Sequence, residues 1–482
     1  MRLALVNSNR IKPPIAPIGL EYVAEAAHAA GHVVRVLDLC WEEDVEAATT
    51  GFVGGTTFDL IGITFRNTDD CSFATRDSFV AGLADLVKTI RAATQAPIVL
   101  GGVGFSVMPV EILQVAGADV GVWGDGEFAI SALADCVASG ADWREQAGRS
   151  PAQLPGLVWQ SDGLWHRNPL SPHPLSELPP MGRAWVDNGR YFREGGQIGI
   201  ETKRGCPGKC VYCADPIAKG RVARLRPPAA VVDELEALLG RGIDHFHTCD
   251  SEFNLPEHHA QAVCEEIVDR GLGDRLRWYA YCAPVPFSSE TAVLMRRAGC
   301  VGINFGVDSG DAEMLKRLRR GFGPDDILEA VRLCVDQGIT VMLDLLLGSP
   351  GESRESLANT IELMKGSGAD QIGVALGVRI YPGTELCSRL ERESATGGLV
   401  GGGDAVEPRF FMEPGVASCA GELIDGLIGA DERFLFFDPS RPEKNYNYNA
   451  NERLVEAIAA GYRGAYWDIL RRYRPGSQQQ RH

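Results

Sequence analysis

The sequence predicts an α/β protein with two successive parallel-sheet units and a small third one. Three observations carry that expectation. Short apolar runs alternate with amphipathic ones over the first 140 residues, a second such series opens at Gln197, and a 482-residue chain exceeds what one ordinary core organises.

In the first series Arg2 to Asn7, Val33 to Leu39, Leu60 to Phe65, Pro97 to Gly101 and Asp119 to Trp123 read as strands. Ile18 to Ala30, Ser78 to Thr94, Val110 to Ala116 and Glu127 to Ser139 read as the helices between them. Strand then helix, repeated, gives a doubly wound parallel sheet of the flavodoxin-like kind over residues 1–140. Ligands of such sheets bind at the carboxyl ends of the strands. Three Gly- or Pro-rich loops gather there: Pro13 to Gly19, Gly101-Gly102-Val103-Gly104, and Gly124-Asp125-Gly126-Glu127. Backbone can approach a ligand closely at such turns, although any one of them also serves as a tight connection.

Residues 141–195 carry Pro172, Pro174, Pro179 and Pro180 with no long period, and read as a linker wrapping between units. In the second series Ile198 to Thr202, His245 to Thr248, Leu276 to Tyr281, Gly302 to Val307, Thr340 to Leu347 and Gln371 to Arg379 read as strands with helices between them. Six such units over 196–390 make a partial (β/α)6 barrel of the TIM type, whose active site lies at the carboxyl ends of its strands. Residues 391–482 turn to Gly-rich loops, an aromatic cluster and a final helix near Glu452 to Arg472, and read as a substrate or lid unit.

The hydrophobic share of 45% and charged share of 23% are those of a soluble globular protein. A net charge of −17 disfavours nucleic acid, whose binding needs clustered Lys and Arg. No apolar run approaches the roughly 20 residues of a membrane span. With no signal peptide ahead of the first strand, a cytoplasmic location is expected. The 13 cysteines are an odd number spread through a long chain, which fits a reducing compartment. Ten of them are isolated and read as small buried hydrophobes without assigned function.

The other three form one tight group. Arg204-Gly-Cys206-Pro-Gly-Lys-Cys210-Val-Tyr212-Cys213 follows directly on the first barrel strand. Thiolates are soft ligands suited to iron–sulfur clusters, and with no fourth Cys nearby one iron of a [4Fe–4S] cube would lack a protein ligand. A zinc site would use the same atoms, but zinc motifs usually pair with a second such group, which this chain lacks. The CxxxCxxC spacing ahead of a barrel resembles the radical S-adenosylmethionine (SAM) superfamily across 196–390. That resemblance implies metal ligation by Cys206, Cys210 and Cys213. It implies SAM contacts by Tyr212, by Asp250 and Glu252 after the second strand, by Asp308 and Ser309 after the fourth, and by Gly348 and Pro350 after the fifth. Many relatives carry Glu-Ser where this chain has Asp308-Ser309. Asp250 and Asp308 also suit a bland reading as helix caps.

A parallel α/β domain ahead of such a barrel is similar to the cobalamin-binding subclass of that superfamily. The matching residues are Pro17-Ile-Gly19-Leu20, Ala30-Gly31-His32-Val33, Gly101-Gly102 and Gly124-Asp-Gly126-Glu127. The resemblance implies cobalamin contacts at Gly101, Gly102, Gly124, Gly126 and Glu127. The Asp-x-His-x-x-Gly sequence that supplies an axial histidine in many cobalamin proteins is absent, and Ser8 to Gly19 contains no His. Phe65 to Asp70 is polar where cobalamin or a substrate would lie.

By the same resemblance the chain is expected to generate a 5′-deoxyadenosyl radical and, with cobalamin, to methylate an unactivated carbon of a small biosynthetic intermediate. A cyclisation, ring contraction or oxidative rearrangement is the alternative. An external one-electron donor such as flavodoxin or ferredoxin is implied. The aromatic and Asn-rich stretch around Asn445-Tyr446-Asn447-Tyr448-Asn449 is expected to close the barrel over the substrate.

Overall fold

The computed structural model describes all residues except 171–172, 394–396, 405, 437–447, 450 and 475–482. Its first sheet holds β1 (Arg2–Asn7), β2 (Val33–Asp38), β3 (Leu60–Thr64), β4 (Ile98–Gly101), β5 (Val120–Val122), β6 (Leu157–Ser161) and β7 (Leu164–Arg167), in the order β2-β1-β3-β4-β5-β6-β7. The five parallel strands have the flavodoxin-like order, with the topological switch between β1 and β3. Both faces are covered, by apolar clusters that include Ile61 and Leu100 on one side and Leu3 and Val99 on the other. Burial on both faces is why these strands read as continuous apolar runs.

The segment read as a linker does more than wrap. β6 and β7 pair antiparallel and extend the first sheet at its β5 edge. Each has five residues or fewer and stands amid turns, so neither shows a period in the sequence. The expected Val33 to Leu39 strand ends at Asp38, whose carboxylate caps a single 3₁₀ turn.

The barrel sheet contains β8 (Ile198–Ile200), β11 (His245–Thr248), β12 (Arg277–Cys282), β13 (Cys300–Asp308), β14 (Thr340–Leu347), β15 (Gln371–Leu376) and β19 (Phe434–Phe436), ordered β19-β15-β14-β13-β12-β11-β8 and parallel throughout. The six expected strands are present, and the third unit adds a seventh by laying Phe434–Phe436 beside β15. Two short ribbons flank it. β9 (Lys203–Arg204) pairs with β10 (Arg224–Leu225), and β18 (Phe410–Phe411) lies between β16 (Val378–Arg379) and β17 (Leu399–Val400). Gly377, at φ +72°, breaks the expected strand Gln371 to Arg379 into β15 and β16. The final helix is likewise two, Glu452–Ala459 and Tyr466–Arg472, separated by Gly461 and Gly464 at positive φ.

Candidate active site

The cysteines lie between β9 and β10, so the ribbon pins both ends of their loop through the Arg204↔Arg224 and Lys203↔Leu225 pairs. Within it Cys206 N donates to Gly220 O at 3.1 Å and Val211 N to Leu318 O at 3.2 Å. Gly208 stands beside the sulfurs: a Cβ there would meet Cys206 Sγ at 3.1 Å and Cys210 Sγ at 3.9 Å, so a side chain would crowd the cradle. Burial pushes all three thiols up, Cys213 to about 12, and metal binding must therefore drive their deprotonation. Among the described residues, no three His, Cys, Asp or Glu side chains converge on one point as a single ion requires. A cubane spaces its thiolates apart, because each binds a different iron.

Beside the loop lies a buried polar group that sequence reasoning only half found. Tyr212 donates to Asp308 Oδ2 at 2.6 Å, and Asp308 sits at φ +65° on a register shift at the end of β13. Arg320, unremarked in the sequence, ties the group together. It donates to Cys210 Sγ at 2.9 Å and pairs with Asp308 at 3.4 Å and Glu252 at 3.8 Å. No motif marks Arg320, because its loop reaches the cysteines only through the barrel's closure. Glu252 Oε2 is buried without a partner, and desolvation pushes this carboxyl up to about 7. An orphaned carboxylate oxygen beside the cluster loop fits a cationic ligand group such as the SAM ammonium.

Other expected contacts are taken up by the chain itself. Asp250 accepts from Thr202 N at 2.9 Å, Lys203 N at 3.2 Å and Thr202 Oγ1 at 2.5 Å, so it braces the strand end that launches the cysteine loop. Ser309 is buried, and its hydroxyl meets Thr360 Oγ1 of the helix Arg354–Gly366 at 2.9 Å. Spacing places both residues at strand ends but does not say which way each side chain turns. Gly348, at φ +93°, donates to Glu352 Oε2 at 3.3 Å in a turn with half-buried Pro350, and Met412 of the third unit packs over it.

The carboxyl edge of the first sheet faces that of the barrel across a cavity of about 1160 Å³. This exceeds the roughly 300–1,000 Å³ of ordinary small-molecule pockets and suits a ligand the size of cobalamin. Gly101, Gly102, Gly124 and Gly126 all line it. Gly102 holds φ +99°, and a Cβ there would meet Phe65 O at 2.6 Å and Thr64 Oγ1 at 2.9 Å, so only glycine keeps the wall open. Asn9 Nδ2, Thr248 Oγ1 and Trp467 Nε1 are buried without partners, and their residues line the same cavity. Unpaired polar atoms on a wall that mixes apolar and polar side chains fit the amide-fringed corrin ring.

Glu127 lines the cavity too, but its carboxylate is engaged by Arg204 at 2.6 and 2.9 Å. Arg204 also pairs with Asp125 at 3.3 Å and Glu201 at 2.8 Å. The Gly124–Glu127 turn is thereby joined to the residue two before Cys206. Arg66, Cys71 and Cys249 also face the cavity, and both thiols are exposed, unlike the buried cysteines that isolation in sequence suggests.

Fold and site together define a radical SAM protein with a cobalamin domain. The family described as the radical SAM superfamily matches residues 200–364, and the B12 binding domain matches residues 5–134. The chain is 35% identical over 446 residues to tryptophan 2-C-methyltransferase of Streptomyces laurentii, covering 81% of this chain and 74% of that one. It is also similar to the radical SAM methyltransferase TsrM of Kitasatospora setae, solved with tryptophan and the SAM analogue aza-SAM. That likeness has a TM-score of 0.89 and 30% identity over 98% of this chain and 97% of the other. The same enzyme with cobalamin and a [4Fe–4S] cluster bound gives a TM-score of 0.86 and 28% identity over the same shares. The chain belongs to the family of cobalamin-dependent radical SAM methyltransferases.

Proposed function

We propose that this protein methylates a carbon of tryptophan or a close indole relative, taking the methyl group from SAM by way of cobalamin. The observation that carries this reading is the aromatic wall at one end of the cavity, Tyr281, Tyr448, Tyr466 and Trp467, in a chain so similar to a tryptophan-bound enzyme. In this reading residues 1–140 hold cobalamin and 196–390 hold cluster and SAM. Residues 141–195 join the two, and 391–482 close over the substrate. Cys206, Cys210 and Cys213 ligate the cluster. Glu252, Asp308 and Tyr212 with the Gly348–Pro350 main chain hold SAM, and the turns at Gly101-Gly102 and Gly124–Gly126 hold cobalamin.

When bound, cobalamin supplies a carrier for the methyl group and the cluster supplies an anchor for SAM. The chain's own residues orient both: Arg204 fixes the two cofactor loops against one another, and the aromatic wall excludes water from the substrate. An external one-electron donor such as flavodoxin or ferredoxin completes the set, and no nucleic acid takes part. No helix among the described residues is long and apolar enough to cross a membrane.

The test is anaerobic turnover of reconstituted protein with L-tryptophan and methyl-labelled SAM, read by mass spectrometry. Label on the indole carries the proposal, and an unlabelled rearranged product would replace it with the cyclisation or ring-contraction alternative. Counting 5′-deoxyadenosine against methylated product decides whether SAM is also cleaved to a radical.

A further inference from the structure

The barrel strands sort their side chains by alternation. Val341, Leu343, Leu345 and Leu347 of β14, Ile303, Phe305 and Val307 of β13, and Trp278, Ala280 and Cys282 of β12 enter the buried core beneath the helices. The residues between them face the barrel interior. There Tyr279, Met342, Ala465 and Trp467 close one level with an apolar cluster. The next level is polar, formed by Tyr281, Asn304 and Asp344. It is also open: Tyr281 is 38% exposed and lines the cavity, and Asp344 is half-buried between fully buried neighbours on its strand.

Asn304 is 2% exposed, and its Nδ2 donates to Asp344 Oδ2 at 2.6 Å. Its Oδ1 is buried with no partner. Leaving a buried acceptor unsatisfied is destabilising, a cost that an apolar side chain such as neighbouring Met342 would avoid. A carboxylate and an orphaned amide oxygen side by side are acceptors that call for a ligand with several N–H donors and a positive charge. Asn304 is the register partner of Tyr281 on the next strand, and Tyr281 lines the cavity together with Tyr448 and Tyr466.

We propose that Asn304 and Asp344 seat the α-ammonium group of an amino-acid substrate inside the barrel, with its aromatic side chain extending toward Tyr448 and Tyr466. This rests on the tryptophan reading above and deepens it. SAM also carries an α-ammonium, for which Glu252 at the strand ends is the separate acceptor. The test is equilibrium binding to the cluster- and cobalamin-loaded protein, with L-tryptophan, indole-3-propionate (which lacks the ammonium) and SAM as probes. Wild type should hold tryptophan at least about tenfold more tightly than indole-3-propionate. Asp344→Asn and Asn304→Ala should each cut that preference to within about threefold, leaving indole-3-propionate and SAM affinities unchanged. Asn304→Ala removes no charge and serves if Asp344→Asn fails to fold. An undiminished preference in the folded variants overturns the inference while leaving the tryptophan reading intact. Lost SAM affinity with the preference intact assigns the seat to SAM and also overturns it. Wild type that binds neither indole compound defeats both readings.

Discussion

Burial pushes the Asp344 carboxyl from its ordinary 3.8 up to about 7, a shift that the Asn304 hydrogen bond opposes and the Asp308 charge adds to. The folded, ligand-free protein therefore keeps a proton there that the unfolded chain has released. The stability from this group is full below about pH 4 and is lost as pH rises through 7. Asp344→Asn should leave the melting temperature of ligand-free protein nearly unchanged near pH 4, yet stabilise it by about 1–3 kcal/mol near pH 8. Equal effects at both pH values would show that the carboxyl titrates normally. Glu252 is the second residue to test. Glu252→Gln should weaken SAM binding about tenfold or more while four irons per chain are retained. Iron loss in that variant would place the carboxylate on the cluster instead. Asp250→Ala should behave differently, lowering iron retention because it removes every acceptor that Thr202 and Lys203 use at the root of the cysteine loop. The cysteines themselves set the baseline: the triple Ala variant of Cys206, Cys210 and Cys213 should hold no cluster. Zinc in place of iron in anaerobic wild type would overturn the assignment.

Among the elements, the β9–β10 ribbon joins the cysteine loop to the Gly124–Glu127 turn, which lies far from it in sequence. Arg204 on β9 and Arg224 on β10 both pair with Asp125 of the Gly124–Glu127 turn. Arg204→Met would strand Glu127 as a buried carboxylate and leave half-buried Glu201 unpaired, a change that typically costs about 3–5 kcal/mol. It should weaken cobalamin binding and iron retention together, by equilibrium dialysis and iron assay on the same preparation. Arg224→Ala, which removes a more exposed partner, should do so less. Loss of one cofactor with the other untouched would argue that the loops are not coupled through Arg204.

Over the whole molecule, a second buried network binds the first unit to the barrel. Arg183 is fully buried, donates to Glu21 at 2.7 Å and Glu234 at 2.8 Å, and thereby links the helix Ile18–Ala29 to the barrel helix Pro228–Leu239. Tyr22 and Arg226 reach the same Glu234 at 2.9 and 2.8 Å. Arg183→Met leaves Glu21 without its cationic partner and takes one of two from Glu234, so calorimetry should show a lower melting temperature and a transition that splits as the units uncouple. A single, unshifted transition would mean that the cavity between the units is held by other contacts. The expected lid stretch lies partly outside the described residues: Asn445, Tyr446 and Asn447 are not among them, while Tyr448 and Asn449 line the cavity.

Local pattern alone determined both parallel sheets, most of their strand limits to within about two residues, the cysteine loop and the glycine-rich edges, because each is written in periods of 2 and 3.6 residues or in short fixed spacings. Family and cofactors followed from the resemblance that those motifs carry. Tertiary structure decided the rest. Arg320 beside Cys210, Arg204 across to Glu127 and the Asn304–Asp344 pair join residues tens of positions apart, and no local period encodes such a meeting. It also decided which acidic residues are occupied. Asp250 and Glu252 look alike in sequence, yet one faces backbone N–H groups and the other a buried space with an oxygen to spare. Strands as short as β6, β7 and β19 gain their stability from the sheet edge they join, so the sequence carried no sign of them.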